Sequence, residues 1–592
     1  MRFRNKKIVS RPEVRDIGAA CPSGLFPIQS ELMRRIFWYR GIRDMEELDC
    51  SLAGMLSPQG FRNGEAATDL LSRAIVEGER IVIVGDYDAD GATATTLGVR
   101  ALRAFGAADV RYIVPDRFKH GYGLSPDIAA EALKERPDLV ITVDNGISSH
   151  EGVKCLKEQG VRVLITDHHL PGDRLPEADA ILNPNLQGCE FGSKNLAGVG
   201  VMFYLLIMVR SGLASRGWFE ARGMSPPNLA VYLDLVALGT VADMVPMDRN
   251  NRILVSQGIS RIREGACCKG ILALLEVSRK KHERIVSTDL GFAVAPRLNA
   301  SGRLEKISTG IECLLADDDA EALEYARRLE DINRARKDIE KEMREEAAAI
   351  VGDLSLSDFT TESEGDDELQ SRICLYDPKW HQGVNGLVAS RMKDLTGLPV
   401  IVFARTEEGC LTGSARSIKG LHIRDLLDTI SCQNPGLIIR FGGHAMAAGL
   451  TIEPAGLETF RTAYREQVEI FLREQGDVDM IETDGMLHPD EMSLDNAESI
   501  REAGIWGQAF PVPTFFGNFH VRDARVVGDI HLKMRLAVKG GEKDFDAIAF
   551  NALNSGEQAP RLNRIQAVYQ LDVNEFRDRK GVQLLIDYFT PL

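Results

Sequence analysis

The chain has 592 residues, of which 44% are hydrophobic and 27% charged, and its formal net charge is −16. This composition is typical of a globular protein with several domains. No apolar run approaches the roughly 20 residues that a membrane span needs, and no apolar signal segment follows the basic N-terminus. The ten cysteines form no CxxC pair, which argues against a zinc module or a disulfide framework. We therefore expect a cytoplasmic protein without a membrane partner.

Residues 70–185 alternate short apolar strands with helical stretches. The strands are read in RIVIVGDYD, DVRYIVPD, PDLVITVDNG, VRVLITDHH and ADAILNPN. Strands spaced in this way predict βαβ units and a parallel sheet that is buried on both faces. In such sheets, ligands bind at the carboxyl ends of the strands.

Acidic and imidazole side chains stand where these predicted strands end, and Asp243 follows another apolar segment. They are Asp86, Asp88 and Asp90, then Asp144, then Asp167, His168 and His169. Carboxylates this close repel one another unless cations neutralise them. Asp88, Asp90, Asp144, His168 and Asp243 form a mainly oxygen donor set that suits two Mn²⁺ or Mg²⁺ ions. Two such ions support in-line attack at phosphorus, so we expect phosphoester or phosphoanhydride hydrolysis.

Asp86 and Asp167 are predicted to orient the metal ligands. His169 is expected to hydrogen-bond the scissile phosphate or the leaving group. A solvated acidic turn and a structural histidine pair are the simpler readings of the same residues.

The rest of the chain divides into further regions. A long helix is predicted from Asp317 to about Ile350, with an apolar stripe of Leu323, Leu329, Ile332, Ile339, Met343 and Ile350, followed by an acidic linker. A second α/β unit begins at ICLYDP.

The C-terminal part reads as a small all-β barrel of OB type. In HLKMRLAVKG, apolar residues alternate with His531, Lys533, Arg535 and Lys539. This basic strand face is either a contact for a nucleic-acid backbone or a solvated surface.

The fold class is thus α/β, with two α/β domains joined by a long helix and a C-terminal barrel. The expected regions are an N-terminal segment, the first α/β domain with a helical extension, the connector helix with its linker, the second α/β domain and the barrel, at residues 1–55, 56–316, 317–370, 371–472 and 473–592.

Several motifs resemble those of the RecJ family of DHH phosphoesterases, which are single-strand-specific 5′→3′ DNA exonucleases. They are VGDYDADG, VDNGISS, TDHHLPG, LGTVADMVP, APRLNASGR, HQGVNGLVASR, TGSARS and FGGHAMAAGL. They occur in order over nearly the whole chain. The resemblance implies a DHH domain, a DHHA1 domain and an OB domain, with action on single-stranded DNA in recombination and repair. It also implies a single-strand-binding protein and a RecQ-type helicase as partners.

The resemblance assigns further roles residue by residue. Asp88, Asp90, Asp144, His168 and Asp243 match metal ligands, and His169 matches the histidine beside the scissile phosphate. Arg297, Asn299 and Arg303 fall in the nuclease cleft motif. Ser414 and Arg416, with Arg117 as a further candidate, would hold the 5′ phosphate, and His381 and His444 would line the face of the second domain. Arginine suits planar phosphate contacts, although Arg297, Arg303 and Arg117 could instead form surface salt bridges.

The sequence departs from the wider superfamily at one position. Many DHH enzymes have a histidine four residues before the first metal-binding aspartate, and this chain has Val84 there. Asp86 or a water molecule could complete the coordination shell.

Two other functions fit parts of the pattern. A DHH hydrolase of oligoribonucleotides, cyclic dinucleotides or pyrophosphate would share the metal site, but a small substrate would not need the barrel. A catalytically inactive scaffold that binds single strands would be expected to lack metal ligands.

Overall fold

The computed structural model describes residues 7–10, 30–116, 123–351, 374–475, 480–528, 530–538, 543–553, 556–576 and 579–592. Arg117, Lys539 and the predicted acidic linker lie outside these ranges. In chain order, the strands are β1 (Lys7–Ser10), β2 (Arg80–Val84), β3 (Asp109–Ile113), β4 (Leu139–Val143), β5 (Arg162–Thr166), β6 (Ala180–Leu182), β7 (Cys374–Tyr376), β8 (Val400–Arg405), β9 (Leu411–Arg416), β10 (Ile438–Gly443), β11 (Ala447–Ile452), β12 (Met480–Thr483), β13 (Phe515–Val527), β14 (His531–Val538), β15 (Asp544–Ala549), β16 (Arg564–Phe576) and β17 (Arg579–Pro591).

The first α/β domain is built on a parallel sheet in the order β3-β2-β4-β5-β6. The central strands are buried along their length because helices cover both faces, as the continuous apolar runs predicted. The helices from the N-terminal segment to the end of this domain are Glu31–Tyr39, Gly64–Val76, Ala89–Ala104, Pro126–Lys134, His150–Glu158, Gly198–Ser215, Leu233–Ala242, Arg249–Arg263, Lys269–Val277, Ala295–Leu304 and Ser308–Leu315.

Helix Gly198–Ser215 is the one helix in the described ranges that is long and apolar enough to cross a membrane, with a mean hydropathy of 1.6. It packs against helices Gly64–Val76 and Ala89–Ala104, and 61% of it is buried inside the protein. Burial of this kind is typical of a core helix in a globular domain.

A connector helix, Asp319–Val351, links the two α/β domains. Leu329 belongs to the core of the first domain, whereas Met343 and Ala347 belong to a core of the second. The predicted stripe is wrong at Ile350, which is exposed, because this residue lies beyond Ala347, the last buried position between residues 319 and 350 of the helix.

The second α/β domain contains a mixed sheet in the order β10-β11-β9-β8-β7. β7 and β8 are parallel and the other neighbours are antiparallel. Helices Asn385–Thr396, Ile423–Gln433 and Leu457–Gln475 pack on this sheet.

The C-terminal strands close into a barrel in the order β13-β14-β15-β17-β16, which is the strand order of an OB fold and confirms the predicted class. Leu532, Met534 and Leu536 of β14 point into the barrel core and are buried. Helix Leu494–Glu502 packs on β16 and β17.

The N-terminal segment is joined to the barrel domain, an arrangement that the sequence did not predict. β1 pairs in parallel with β12. Arg40, just after helix Glu31–Tyr39, forms a buried ion pair with Asp484 at 2.9 Å and donates to the carbonyl of Pro511 at 2.7 Å.

Candidate metal centre

The carboxyl ends of β2, β4 and β5 bring the predicted acids and histidines together. Among the described residues, three groups have potential ligand atoms within 4.8 Å of one another: Asp86, Asp88 and Asp144; Asp90, His168 and Asp243; and Asp144, His168 and His169. Their overlap makes one continuous centre. The parallel sheet explains the convergence because strands in the same direction end at the same edge.

Backbone amides and close packing fix the orientation of two of the acids. Asp90, in the first turn of helix Ala89–Ala104, accepts hydrogen bonds from the amides of Gly198 at 2.6 Å and Val199 at 3.0 Å. Asp144 has a left-handed backbone with φ of 61°, which aspartate tolerates better than most residues. A Cβ at position 198 would lie 2.5 Å from the Asp144 Cβ, so glycine is needed there.

The acids are crowded enough to favour protonation. Burial and the charge of Asp88 raise the pKa of Asp90 to about 7. Burial and the charges of Asp90 and Asp88 also raise the pKa values of Asp144 and Asp243 well above the usual range. Bound cations would reverse these shifts, because they stabilise the ionised carboxylates.

The donor chemistry fits divalent cations. His168 Nε2 lies 3.1 Å from Asp144 Oδ1 and 3.5 Å from Asp243 Oδ2. His168 Nε2 and Asp243 Oδ2 are buried. Neither atom forms a hydrogen bond of acceptable geometry in the described part of the chain. Buried polar atoms are normally paired, so their convergence with carboxylate oxygens indicates positions for metal ligands.

The adjacent histidines have opposite electrostatic environments. Burial and the charge of His169 lower the pKa of His168 to about 4, which keeps this imidazole neutral. Burial would also lower the pKa of His169, but the hydrogen bond and charge of Asp167 outweigh it and raise that pKa to about 9. His168 therefore has the form of a metal ligand and His169 that of a cationic donor at neutral pH.

Asp167 organises this pair. It accepts hydrogen bonds from the amides of His168 at 2.7 Å and His169 at 3.0 Å, and His169 Nδ1 lies 2.8 Å from the same carboxylate. Burial would raise the pKa of Asp167, but the bond and charge of His169 lower it.

The position of the missing superfamily histidine lies in the sheet. Val84 is fully buried at the end of β2. Asp86 reaches the centre instead, in the group with Asp88 and Asp144.

The residues of the APRLNASGR segment contact the centre indirectly. Asn299 Oδ1 accepts from the amide of Ala89 at 2.8 Å, which holds the turn carrying Asp88. Arg297 is buried in an ion pair with Glu330 of the connector helix at 2.6 Å and donates to the carbonyl of Ala293. Arg303 approaches the carbonyl of Gly383, in the second domain, at 3.5 Å.

Ser414 and Arg416 lie on β9 beside the N-terminus of helix Asn385–Thr396. Ser414 Oγ donates to Asn385 Oδ1 at 2.9 Å. A Cβ at position 386 would lie 2.9 Å from a guanidinium nitrogen of Arg416, so the side chain lies against the first turn of the helix. A helix N-terminus and an arginine together favour a phosphate group.

Two histidines of the second domain lie towards the first. His381 Nδ1 accepts from the amide of Gly383 at 3.1 Å, beside the Arg303 carbonyl, and burial lowers its pKa. Burial and the charge of His169 lower the pKa of His444.

The predicted basic face of the barrel carries matched acids. Lys533 lies 3.5 Å from Asp546 and Arg535 lies 3.4 Å from Asp544. The sequence missed these pairs because the acids lie on the neighbouring strand, β15. It also missed the roles of Asn385 and Gly198, although Asn385 stands within the HQGVNG motif.

An acidic and imidazole centre on one α/β domain, with a second α/β domain joined to it by a connector helix, defines a phosphoester hydrolase of the two-domain DHH class. Models of three domains match the chain: the DHH family N-terminal domain at residues 80–240, the DHHA1 domain at 369–469 and the RecJ OB domain at 483–588.

The chain is similar to proteins named single-stranded-DNA-specific exonuclease RecJ. The one from Dickeya dadantii is 48% identical over 95% of this chain and 96% of its own length. The crystal structures of Thermus thermophilus RecJ with Mn²⁺ and with Mg²⁺ have TM-scores of 0.76 and 0.69, at 29% and 26% identity. They cover 100% and 98% of this chain, and 80% and 77% of those chains. The protein belongs to the RecJ family, which confirms the resemblance read from the motifs.

Proposed function

We propose that the protein is an exonuclease that uses Mn²⁺ or Mg²⁺ to remove mononucleotides from the 5′ end of single-stranded DNA. The observation that carries this proposal is the centre of Asp88, Asp90, Asp144, His168 and Asp243, in a chain of the RecJ family. In this proposal, these five residues hold two cations and Asp86 completes or orients the shell. The cations, when bound, supply the positive charge that activates water and stabilises the departing oxygen.

His169 acts on the phosphate itself. In the metal-free protein, the hydrogen bond and charge of Asp167 raise the pKa of His169 to about 9, and a protonated ring can donate from Nε2 to a non-bridging oxygen or to the leaving group. Asp167 holds Nδ1 and therefore fixes which nitrogen faces the substrate.

The APRLNASGR residues maintain the cleft in this proposal. Asn299 positions the Asp88 turn, and Arg297 ties the cleft helix to the connector helix. Arg303, His381 and His444 line the border between the two domains, where the strand would pass.

The direction of degradation is explained by the second domain. Ser414 and Arg416 bind the terminal 5′ phosphate beside the helix N-terminus, which stabilises negative charge. Arg117 is proposed for the same pocket from its motif alone. The barrel holds the strand beyond the cut, with Lys533 and Arg535 exchanging their acidic partners for phosphates.

A cytoplasmic location, with a single-strand-binding protein and a RecQ-type helicase as partners, completes this proposal. These partners rest on the family alone. The domain boundaries 1–55, 56–316, 317–370, 371–472 and 473–592 are proposed as given above.

Oligonucleotides labelled at the 5′ or the 3′ end test the proposal in a time course with Mn²⁺. We expect immediate release of labelled mononucleotide from the 5′ end of the single strand and survival of the blunt duplex. Release from the 3′ end first would refute the polarity. Cleavage of dinucleotides or pyrophosphate with survival of long strands would instead identify the small-substrate hydrolase.

A further inference from the structure

The two most exposed large apolar side chains in the described ranges lie near the C-terminal end of helix Leu233–Ala242. Phe292 is 84% exposed and Met244 is 70% exposed. Single exposed apolar residues are ordinary on protein surfaces. These two are notable because both adjoin the last turn of helix Leu233–Ala242, which Asp243 directly follows.

Met244 directly follows Asp243 and has a left-handed backbone with φ of 59°. Its amide donates to the carbonyl of Val241 at 3.3 Å. A long side chain without a polar group gains nothing from this conformation, which glycine or asparagine would adopt more easily. Strained positions of this kind concentrate at functional sites.

Phe292 lies on a single π-helical turn, Leu290–Val294, which leads directly into helix Ala295–Leu304. Leu290 and Val294 are fully buried, so the turn is anchored on both sides of the exposed ring. A Cβ on Gly291 would lie 3.3 Å from Val241, which brings Phe292 near the same turn as Met244. Single π-turns inside helical segments are frequent at functional sites.

We propose that Phe292 and Met244 contact the nucleobases beside the scissile phosphodiester, an inference that rests on the proposed function. A phosphate held at the metal centre carries its bases one sugar away, and Met244 directly follows Asp243 of that centre. Aromatic rings stack on any base, so the contact needs no particular sequence. The methionine thioether packs well on the edge of flat rings.

The contact also contributes to selection of single strands. Bases in a duplex are paired and stacked on their neighbours, so a protein ring reaches their faces only if the stack is opened. Bases of a single strand offer those faces at lower cost.

A cycle of two changes tests this inference under single-turnover conditions with Mn²⁺. Phe292→Ala and the parent are each given a 5′-phosphorylated single strand, with natural bases or with abasic residues at the first two positions. We expect Phe292→Ala to slow cleavage of the natural strand by roughly 5- to 150-fold, the range measured for one base–aromatic stack. The parent should cut the abasic strand more slowly than the natural strand, by a similar factor. On the abasic strand, the cleavage rates of the variant and the parent should differ by less than about twofold.

Further variants separate stacking from a structural effect. Phe292→Tyr should keep the parent rate because the ring is retained, whereas Phe292→Leu should not. Met244→Gly should slow the natural strand without lowering the melting temperature, because glycine relieves the left-handed backbone. Leu395→Ala, at a position 55% exposed on the outer helix Asn385–Thr396, is the matched control and should cut both strands at the parent rate.

The inference is overturned if Phe292→Ala slows both strands equally, if it cuts the natural strand at the parent rate, or if the parent is indifferent to base removal. Equal slowing of both strands would indicate that Phe292 has a structural role. An unchanged rate on the natural strand would indicate that the exposed residues contact a protein partner instead. A parent that does not shorten the natural strand at all refutes the proposed function, and the inference with it.

Discussion

At the scale of single residues, the buried acids determine how the metal-free protein responds to pH. The pKa values of Asp90, Asp144 and Asp243 are raised by folding, so their contribution to stability is present at low pH and is lost as pH rises through the folded pKa values. The pKa of His169 is raised to about 9, so its contribution to stability is also lost as pH rises. His168 works in the opposite sense, but this contribution fades above about pH 6.5, where the unfolded histidine also loses its proton.

We therefore predict that the melting temperature of the metal-free protein falls between pH 6.5 and pH 8. The rise in melting temperature on adding Mn²⁺ should be larger at pH 8, because the cations stabilise the ionised carboxylates. Asp144→Asn, which removes one charge, should show a shallower fall without metal. A melting temperature that stays level or rises across this range would contradict the account. Thermal melts in matched buffers provide the measurement.

Most members of the centre could be predicted at this scale because they follow apolar runs that read as buried strands, whereas Asp243 follows an apolar segment that forms a helix. The contacts of Arg297 could not, since Glu330 lies on the connector helix and only the packing of that helix brings the two together. For the same reason, the acids facing Lys533 and Arg535 depend on the register between β14 and β15.

At the scale of elements, the connector helix is tied to the cleft by the Arg297 ion pair. The two side chains are only 9% and 15% exposed, so removing one partner leaves a largely buried charge. Breaking such a pair typically costs about 3–5 kcal/mol.

Glu330→Ala should accordingly lower stability by about this amount and reduce nuclease activity through displacement of the cleft helix. Asp331→Ala is the matched control, because that neighbouring acid is 77% exposed and should change stability by less than about 0.5 kcal/mol. Urea unfolding followed by fluorescence compares the two. Equal stability of both variants would show that the pair does not hold the helix.

The parallel sheet and the connector helix were predictable because their apolar patterns extend over many residues. The predicted apolar stripe was wrong at Ile350. The sequence pattern continues to this residue, but the neighbouring domain does not cover it. Periodicity reports which face is apolar, whereas the partner that covers each turn depends on tertiary packing.

At the scale of the whole molecule, the N-terminal segment fastens the barrel domain to the rest of the chain. Arg40 and Asp484 are 2% and 1% exposed, and Phe37 stacks with Trp506 at a centroid distance of 6.1 Å. β1 has four residues and pairs with a strand more than 400 residues later in the chain. Such a short strand has no recognisable periodicity, so the sequence could not predict this contact.

Replacing Arg40 with Ala should loosen this attachment, because Asp484 would remain buried without its ion-pair partner. We expect faster proteolysis within residues 480–514 and weaker binding of long single strands, with short oligonucleotides cut at nearly the parent rate. Arg34→Ala, on the preceding helix, serves as the comparison. An unchanged proteolysis pattern would show that the barrel is held by other contacts.

The central claim is that the acids at the strand ends hold two divalent cations that support hydrolysis. Calorimetric titration of Mn²⁺ into the metal-free parent and Asp144→Asn tests it most directly, since asparagine keeps the shape and tolerates the left-handed backbone at this position. The account predicts two bound ions in the parent, and loss of at least one of them together with the nuclease activity in the variant. A parent that binds no Mn²⁺, or a variant that binds two ions as tightly as the parent, would contradict it.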